Sequence, residues 1–341
     1  MRAQMLVPTS AASSAFDVVQ RVIIQAQDAK AARLGIRARS KDLTEADVER
    51  ERLHDRSYVR AWAMRGTIHL ITSEDYPWIR DLVAAPLIRQ SLKRLAQEGM
   101  SQSAAERARP VVRKLLENGP AGRAEIREVL AKKNIKPKGR QALVHLLFVM
   151  TYEGEVVTGP YVDGKETVVL ADDWIHKRPK APKDPAVELA RRYILAYGPA
   201  SIDDFRWWSG LPAARARTAW AAMGDELVDH GDGLHRHRSQ GLAAGRAAPT
   251  RLLPMWDHYF LGYKDRSHAG TSKMTGGASA GGIFHPLVVA DGKATGLWRL
   301  TRKGTGFNLS LEPLEGLPSR ASITREVADL SRFLGQDVKF A

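Results

Sequence analysis

Two stretches of this chain repeat one plan. LLENGPAGRAEIREVL (Leu115–Leu130) and ILAYGPASIDDFRWWSGL (Ile194–Leu211) each run an apolar helix end, Gly-Pro-Ala and a second helix. Gly119 and Gly198 suit the left-handed residue that closes a helix. Pro120 and Pro199 cannot continue one, because proline has no N–H and clashes with the preceding turn. Ser201 and Asp204 have the spacing of a capping box. A third helical pattern follows each pair, RQALVHLLFVMTYEG in one case and AARARTAWAAMGDEL in the other. Each then meets a hairpin signal. GEVVTG and ETVVLA flank Val162-Asp163-Gly164-Lys165, and the second turn is HGDGLHRH. Three helices followed by a two-stranded wing is the winged-helix plan, a variant of the helix-turn-helix. The expected fold class is therefore α+β, mostly helical, with tandem winged-helix units.

The first hundred residues fit the plan more loosely. The spacing predicts a helix over 16–28, then one at TEADVERERLHD in which Thr44 caps through Asp47. A strand-like run ends YVRAWAMRGTIHLIT, and TSEDYPWIRDLVAAPLIRQSLKRL reads as a helix. From about Pro249 the pattern turns β-rich, with hairpins at Asp291-Gly292 and Gly304-Thr305-Gly306. A closing helix carries Ile323, Val327, Leu330 and Leu334 on one face. Four segments follow: a winged-helix-like unit over residues 1–100, winged-helix units over 101–180 and 181–248, and a β-rich C-terminal segment over 249–341. GTSKMTGGASAGG (Gly270–Gly282) is a glycine-serine loop that lacks the Gly-Lys-Ser/Thr of a phosphate loop.

Lys and Arg number 52 against 38 Asp and Glu, a net charge of +14 spread along the whole chain. Such a chain meets a polyanion across a surface built by several units. No apolar run approaches the ~18 residues of a membrane helix. The first residues lack the apolar core of a secretory signal. The absence of cysteine excludes disulfides, thiolate metal sites and cysteine nucleophiles, and it fits a cytoplasmic protein. HRHR (His235–Arg238) has no second ligand cluster, so it reads as a basic wing and no metal or cofactor is expected. Trp207-Trp208 reads as packing within a helix. No dimerisation segment is evident, which suggests a monomer.

One feature of the first helix stands apart. In VVQRVIIQAQDAKAARLG, Gln25 and Gln27 flank Ala26 at the two rims of the apolar face formed by Val18, Val19, Val22, Ile23 and Ala26. VIIQAQDAKAARLGIRAR, VRAWAMRGTIHLITSEDYPWI, LLPMWDHYFLGYKDRS and GIFHPLVVADGKATGLWR, in this order and spacing, resemble the AlkZ/YcaQ family of bacterial DNA glycosylases. The resemblance implies tandem winged-helix units around DNA, excision of N-alkylated purines and, in some members, unhooking of interstrand crosslinks. Its motif is Gln-aliphatic-Gln in one branch and Gln-aliphatic-Asp in the other. Gln25-Ala26-Gln27 matches the first, with Ala26 at the small end of aliphatic.

A glutamine amide is no general base at neutral pH, but it can fix a water. That suffices for a purine alkylated at N7 or N3, whose positive charge already makes it a good leaving group. The expected function is a monofunctional glycosylase acting on double-stranded DNA, with Gln25 and Gln27 catalytic. Arg37 and Arg39 are candidate clamps on the DNA backbone. In RGTIHL, Arg65 is a candidate phosphate contact, and Thr67 and His69 candidate pocket residues. Lys264 and Arg266 in LGYKDRS are candidate phosphate contacts, and a lyase role for Lys264 would need a desolvated pocket. The resemblance gives Arg299, Arg302 and Lys303, at or near a hairpin tip, the role of a basic hairpin entering a groove. The rival reading is a non-enzymatic winged-helix regulator, which explains the charge and the repeats but not the two glutamines.

Overall fold

The computed structural model describes every residue except 177–178, 242–247, 271–278, 281–282 and 315, together with the side chains of 279–280 and 283. Most of the glycine-serine stretch 270–282 thus lies outside the described residues. The fold mixes helix and sheet, 47% to 22%, the mostly helical balance that the repeats predict. The chain gathers into two compact units, Met1–Glu51 with Ala186–Ala341, and Arg52–Pro185. The segment 1–100 is shared between them, whereas 101–180 and 249–341 each fall within one.

The first unit opens with α1 (Ala15–Val22), β1 (Ile24–Gln25) and α2 (Ala29–Arg37), followed by α3 (Glu45–Leu53). The Ser14 side chain accepts from Asp17 N–H at 3.0 Å, and the Glu51 carboxylate accepts from Ala15 and Phe16 N–H at 3.0 and 2.8 Å. Three of the four orphan donors at the start of α1 are thereby satisfied. Val18, Val19 and Val22 are buried, as their spacing predicts. The helix expected over 16–28, however, stops at Val22. Ile23 turns into the left-handed region at φ 50°, ψ 88°, a costly conformation for a β-branched residue. Asp28 then starts a new helix, its carboxylate accepting from Ala31 N–H at 2.7 Å. Thr44 and Asp47 cap α3 reciprocally, as expected.

The second unit pairs β2 (Tyr58–Trp62) with β3 (Ile68–Thr72) across a turn at Met64–Gly66. Helices α4 (Tyr76–Gln97) and α5 (Gln102–Leu116) follow, then β4 (Ala121–Gly122), α6 (Arg123–Lys132), α7 (Ala142–Tyr152), β5 (Val156–Val162), β6 (Lys165–Leu170) and α8 (Ala171–Trp174). Within this unit the strands run β3-β2-β5-β6-β4. The β5–β6 turn closes at Asp163 and Gly164, both left-handed at φ 50° and 70°, the conformation an Asp-Gly hairpin needs. Helix α7 is almost wholly apolar. Leu143, Leu146, Leu147 and Met150 sit in one core cluster with Leu116, Ile126, Leu130 and Val156.

The first unit resumes with α9 (Pro185–Tyr197), α10 (Ile202–Ser209), α11 (Ala213–Ala221) and the hairpin β7 (Leu227–Gly231), β8 (Leu234–His237). The Ser201–Asp204 capping box forms as expected. Gly198 is not left-handed: its peptide with Pro199 is cis. Glycine is needed there because a Cβ would lie 2.6 Å from the Ile194 carbonyl oxygen and 2.7 Å from Gln240 Oε1. The C-terminal segment forms a five-stranded sheet in the order Val338–Phe340, Gly306–Pro313, Lys293–Lys303, Leu287–Ala290, Arg251–Leu253. Its turns fall at Asp291-Gly292 and Gly304-Thr305, both predicted. The closing helix, Arg320–Leu334, buries Ile323, Val327 and Leu330 with Phe333, while Leu334 stays at the edge.

Candidate active site

Gln25, Ala26 and Gln27 lie in the link between α1 and α2, not on a helix. Burial alternates along them: Gln25 is half-buried, Ala26 sealed, Gln27 exposed. The strand ends at Gln25 and the chain bends at Gln27, so the pair is not held to the divergence of about 200° that a helix imposes on residues i and i+2. The early end of α1 thus allows two amides at this spacing to address one small molecule. Gln25 Oε1 is buried and accepts no hydrogen bond from the protein.

A polar relay holds the bend. Tyr197 O–H donates to the Val22 carbonyl at 2.6 Å, the orphan acceptor at the end of α1. Gln25 N–H donates to His258 Nε2 at 2.5 Å, and His258 Nδ1 lies 2.9 Å from the Tyr197 hydroxyl. An amide N–H can only donate, so Nε2 is the acceptor and the ring proton sits on Nδ1, where it donates to Tyr197. Burial holds the Tyr197 phenol well above its ordinary pKa, so it keeps the proton it gives to Val22.

Arg37 and Arg39 are not presented to DNA. Each is 1% exposed. Arg39 grips both oxygens of Asp257 at 2.7 Å and also donates to Gly35 O and Gln4 Oε1, each at 3.1 Å. Burial opposes the charge of Arg39, but the Asp257 carboxylate outweighs it and raises the pKa. Arg37 donates to Asp329 (2.9 Å), Leu252 O (2.7 Å) and Glu326 (3.1 Å). Both arginines tie α2 to the C-terminal segment, which corrects the backbone-clamp reading. Asp257 further caps the short helix His258–Leu261 by accepting from Tyr259 N–H at 2.8 Å. The Arg39–Asp257 pair therefore fixes the element that carries His258.

Arg65, Thr67 and His69 belong to the second unit. Arg65 is a half-buried left-handed turn residue at φ 57°, and Thr67 Oγ1 donates to Met64 O at 3.2 Å. His69 is 1% exposed on β3 and donates from Nδ1 to Thr67 O at 3.0 Å. Burial, then the charge of Arg65, lowers its pKa to about 3, so it is neutral at pH 7 and buried as a strand residue.

Lys264 is exposed and paired with Asp203 at 2.7 Å, which is no desolvated nucleophile pocket. Arg266 lies between the faces of Trp207 (5.5 Å) and Phe284 (4.8 Å), with its Nε donating to Phe260 O at 3.1 Å. Burial depresses its pKa, and Nη2 is buried without a partner. Trp208 is packing, 1% exposed, but Trp207 is 44% exposed. Arg299, Arg302 and Lys303 are exposed on the strand that ends at Lys303, next to the turn. Arg302 also covers the Phe307 ring at 5.5 Å. His235, Arg236 and His237 lie in β8 with Arg238 just past its end, and His237 Nε2 lies 3.3 Å from Glu226.

The sequence reading did not single out His258, Tyr197 or Asp257. All three lie far along the chain from the glutamines, and the one available signal was the polar pair in LLPMWDHYF. A basic chain with two uncharged amides on a left-handed link has equipment that suits the release of an already activated base. Residues 19–333 match the DNA glycosylase AlkZ-like family, and the chain belongs to it. It is 29% identical over 361 aligned positions to an interstrand DNA cross-link repair glycosylase of Streptomyces sahachiroi, spanning 98% of this chain and 94% of that one. It also matches the solved structure of the Streptomyces sahachiroi DNA glycosylase AlkZ with a TM-score of 0.81, over 99% of this chain and 96% of that one, at 24% identity. That likeness establishes the shared fold.

Proposed function

We propose that this glycosylase hydrolyses the N-glycosidic bond of purines alkylated at N7 or N3 in duplex DNA, with Gln25 and Gln27 holding the attacking water. The carrying observation is Gln25 Oε1, a buried acceptor to which no protein group donates. Such an atom costs about 1–3 kcal/mol unless something donates to it, and a water O–H is the smallest donor that can. The exposed Gln27 amide supplies a second contact to that water from the open side. Neither amide takes or gives a proton: the cationic purine leaves as a neutral base without an acid, and the proton that the water sheds on bonding C1′ passes to solvent. What remains is to place the water below C1′, and orientation of this kind is worth up to about 7–11 kcal/mol in ideal cases. Lys264 is exposed and ion-paired, which supports hydrolysis without a Schiff base.

The relative named for interstrand cross-link repair supports extending the substrate to crosslinks, since unhooking is the same cleavage applied to a tethered base. Openness at Gln27 suits bulky adducts. The chain acts as a cytoplasmic monomer, and segments 101–180 and 181–248 serve as winged-helix units. In the first of these the third helix, α7, is core and reads no groove. In the second, α11 turns Arg215, Arg217 and Thr218 outward. Arg299, Arg302 and Lys303 form the basic hairpin that enters a groove, and Lys264 and Arg266 contact phosphate.

Duplexes carrying 7-methylguanine, 3-methyladenine or an N7 crosslink test the proposal beside an undamaged duplex. The expected product is free base and an abasic site without strand cleavage. Enzyme-made strand breaks, or no release from any lesion, would contradict it.

A further inference from the structure

We infer that His258 and Tyr197 are positioning residues for base release, because together they clamp the main chain at both ends of the bend that presents Gln25. The inference rests on the reading of Gln25 as catalytic. Tyr197 satisfies the Val22 carbonyl before the bend, and His258 satisfies the Gln25 N–H after it, at 2.6 and 2.5 Å. The Tyr197–His258 bond of 2.9 Å closes the bridge, so the distance between the two ends is set by two rings rather than by the link itself.

Both rings are held by their neighbours. Tyr197 stacks on Tyr193 at 4.9 Å and 15°, meets Trp208 at 5.6 Å, and receives the Tyr263 hydroxyl on its own carbonyl at 2.7 Å. His258 opens the short helix capped by Asp257, which Arg39 holds with two bonds. A rigid path thus runs from a buried ion pair to the backbone of Gln25. The link turns left-handed at Ile23, whose N–H gives α1 its last helical bond, to the Val19 carbonyl, so beyond that point this path helps to aim the side chain. A displacement near 1 Å in a positioned group costs about a hundredfold in rate.

The test compares His258→Leu, which keeps bulk but offers no acceptor, with His258→Gln, whose Oε1 can accept where Nε2 does. Tyr197→Phe keeps the ring and removes the hydroxyl. Single-turnover release from a 7-methylguanine duplex, duplex affinity and thermal midpoint are measured for each. His258→Leu is expected to lose at least about tenfold in rate with affinity within about twofold, and His258→Gln to return within about threefold of the native enzyme. Tyr197→Phe should fall between them. A merely structural role would make rate follow the thermal midpoint, with the Gln variant no better than the Leu variant, and that result overturns the inference. Gln25→Ala separates the two claims. A native rate in Gln25→Ala removes the catalytic reading itself. An inactive Gln25→Ala beside a fully active His258→Leu removes only the positioning role.

Discussion

Asp257→Asn is expected to destabilise the first compact unit by about 3 kcal/mol. The structure sets that figure. Arg39 and Asp257 have side chains only 1% and 3% exposed and share two bonds of 2.7 Å. Removing one partner of a buried pair costs about 3–5 kcal/mol, because a charge is left without compensation. Gly35 O and Gln4 Oε1 still accept from Arg39, which places the loss at the lower end. Urea unfolding, with hydrogen exchange reporting the first unit, is the assay. With a slope near 3 kcal/mol per molar the midpoint falls by about 1 M. Arg39→Met combined with Asp257→Leu should recover most of the loss, since replacing a whole buried pair with apolar side chains is often neutral. An unchanged midpoint in Asp257→Asn, or a double variant no better than the single, would refute the view that the pair is a closed, buried tie.

Three other outcomes follow from named contacts. Arg302→Ala with Lys303→Ala should reduce the salt dependence of duplex binding by about 1.8 in the log–log slope, at ~0.9 per phosphate contact; an unaltered slope removes the hairpin from the interface. Gly198→Ala should lower stability, because its Cβ meets Ile194 O and Gln240 Oε1 at 2.6 and 2.7 Å; a native melting curve would contradict the close approach. His69, lowered to about 3 by burial and then by Arg65, stays neutral in the fold while the unfolded chain takes a proton below about 6.5. Its contribution is complete above that pH and is lost on acidification, at up to about 1.4 kcal/mol per pH unit between 6.5 and 3. His69→Gln should flatten stability against pH in that window, and equal slopes would contradict the assignment.

What the sequence disclosed follows the range of the forces involved. The Asp163-Gly164 and Asp291-Gly292 hairpins and the Ser201–Asp204 cap are decided by neighbours, so local patterns locate them. The break at Ile23 is not local. Val18 to Ala26 keep helical periodicity, and the bend is imposed by Tyr197 and His258, 175 and 233 positions from the atoms they hold. Arg37 and Arg39 misled for the same reason. Their acids, Asp329 and Asp257, lie 292 and 218 positions away, and without them an arginine after a helix looks like surface charge. The two glutamines were legible as a misfit, two amides beside a core. The i, i+2 spacing made sense only once the helix was seen to end before them.

Single-turnover release of 7-methylguanine from a duplex by Gln25→Ala and Gln27→Ala, at enzyme concentrations that saturate the DNA, tests the central claim most directly. Positioning of the attacking water by two amides requires that each variant lose at least about a hundredfold in rate while retaining its affinity for the duplex. A native rate in either variant would contradict it.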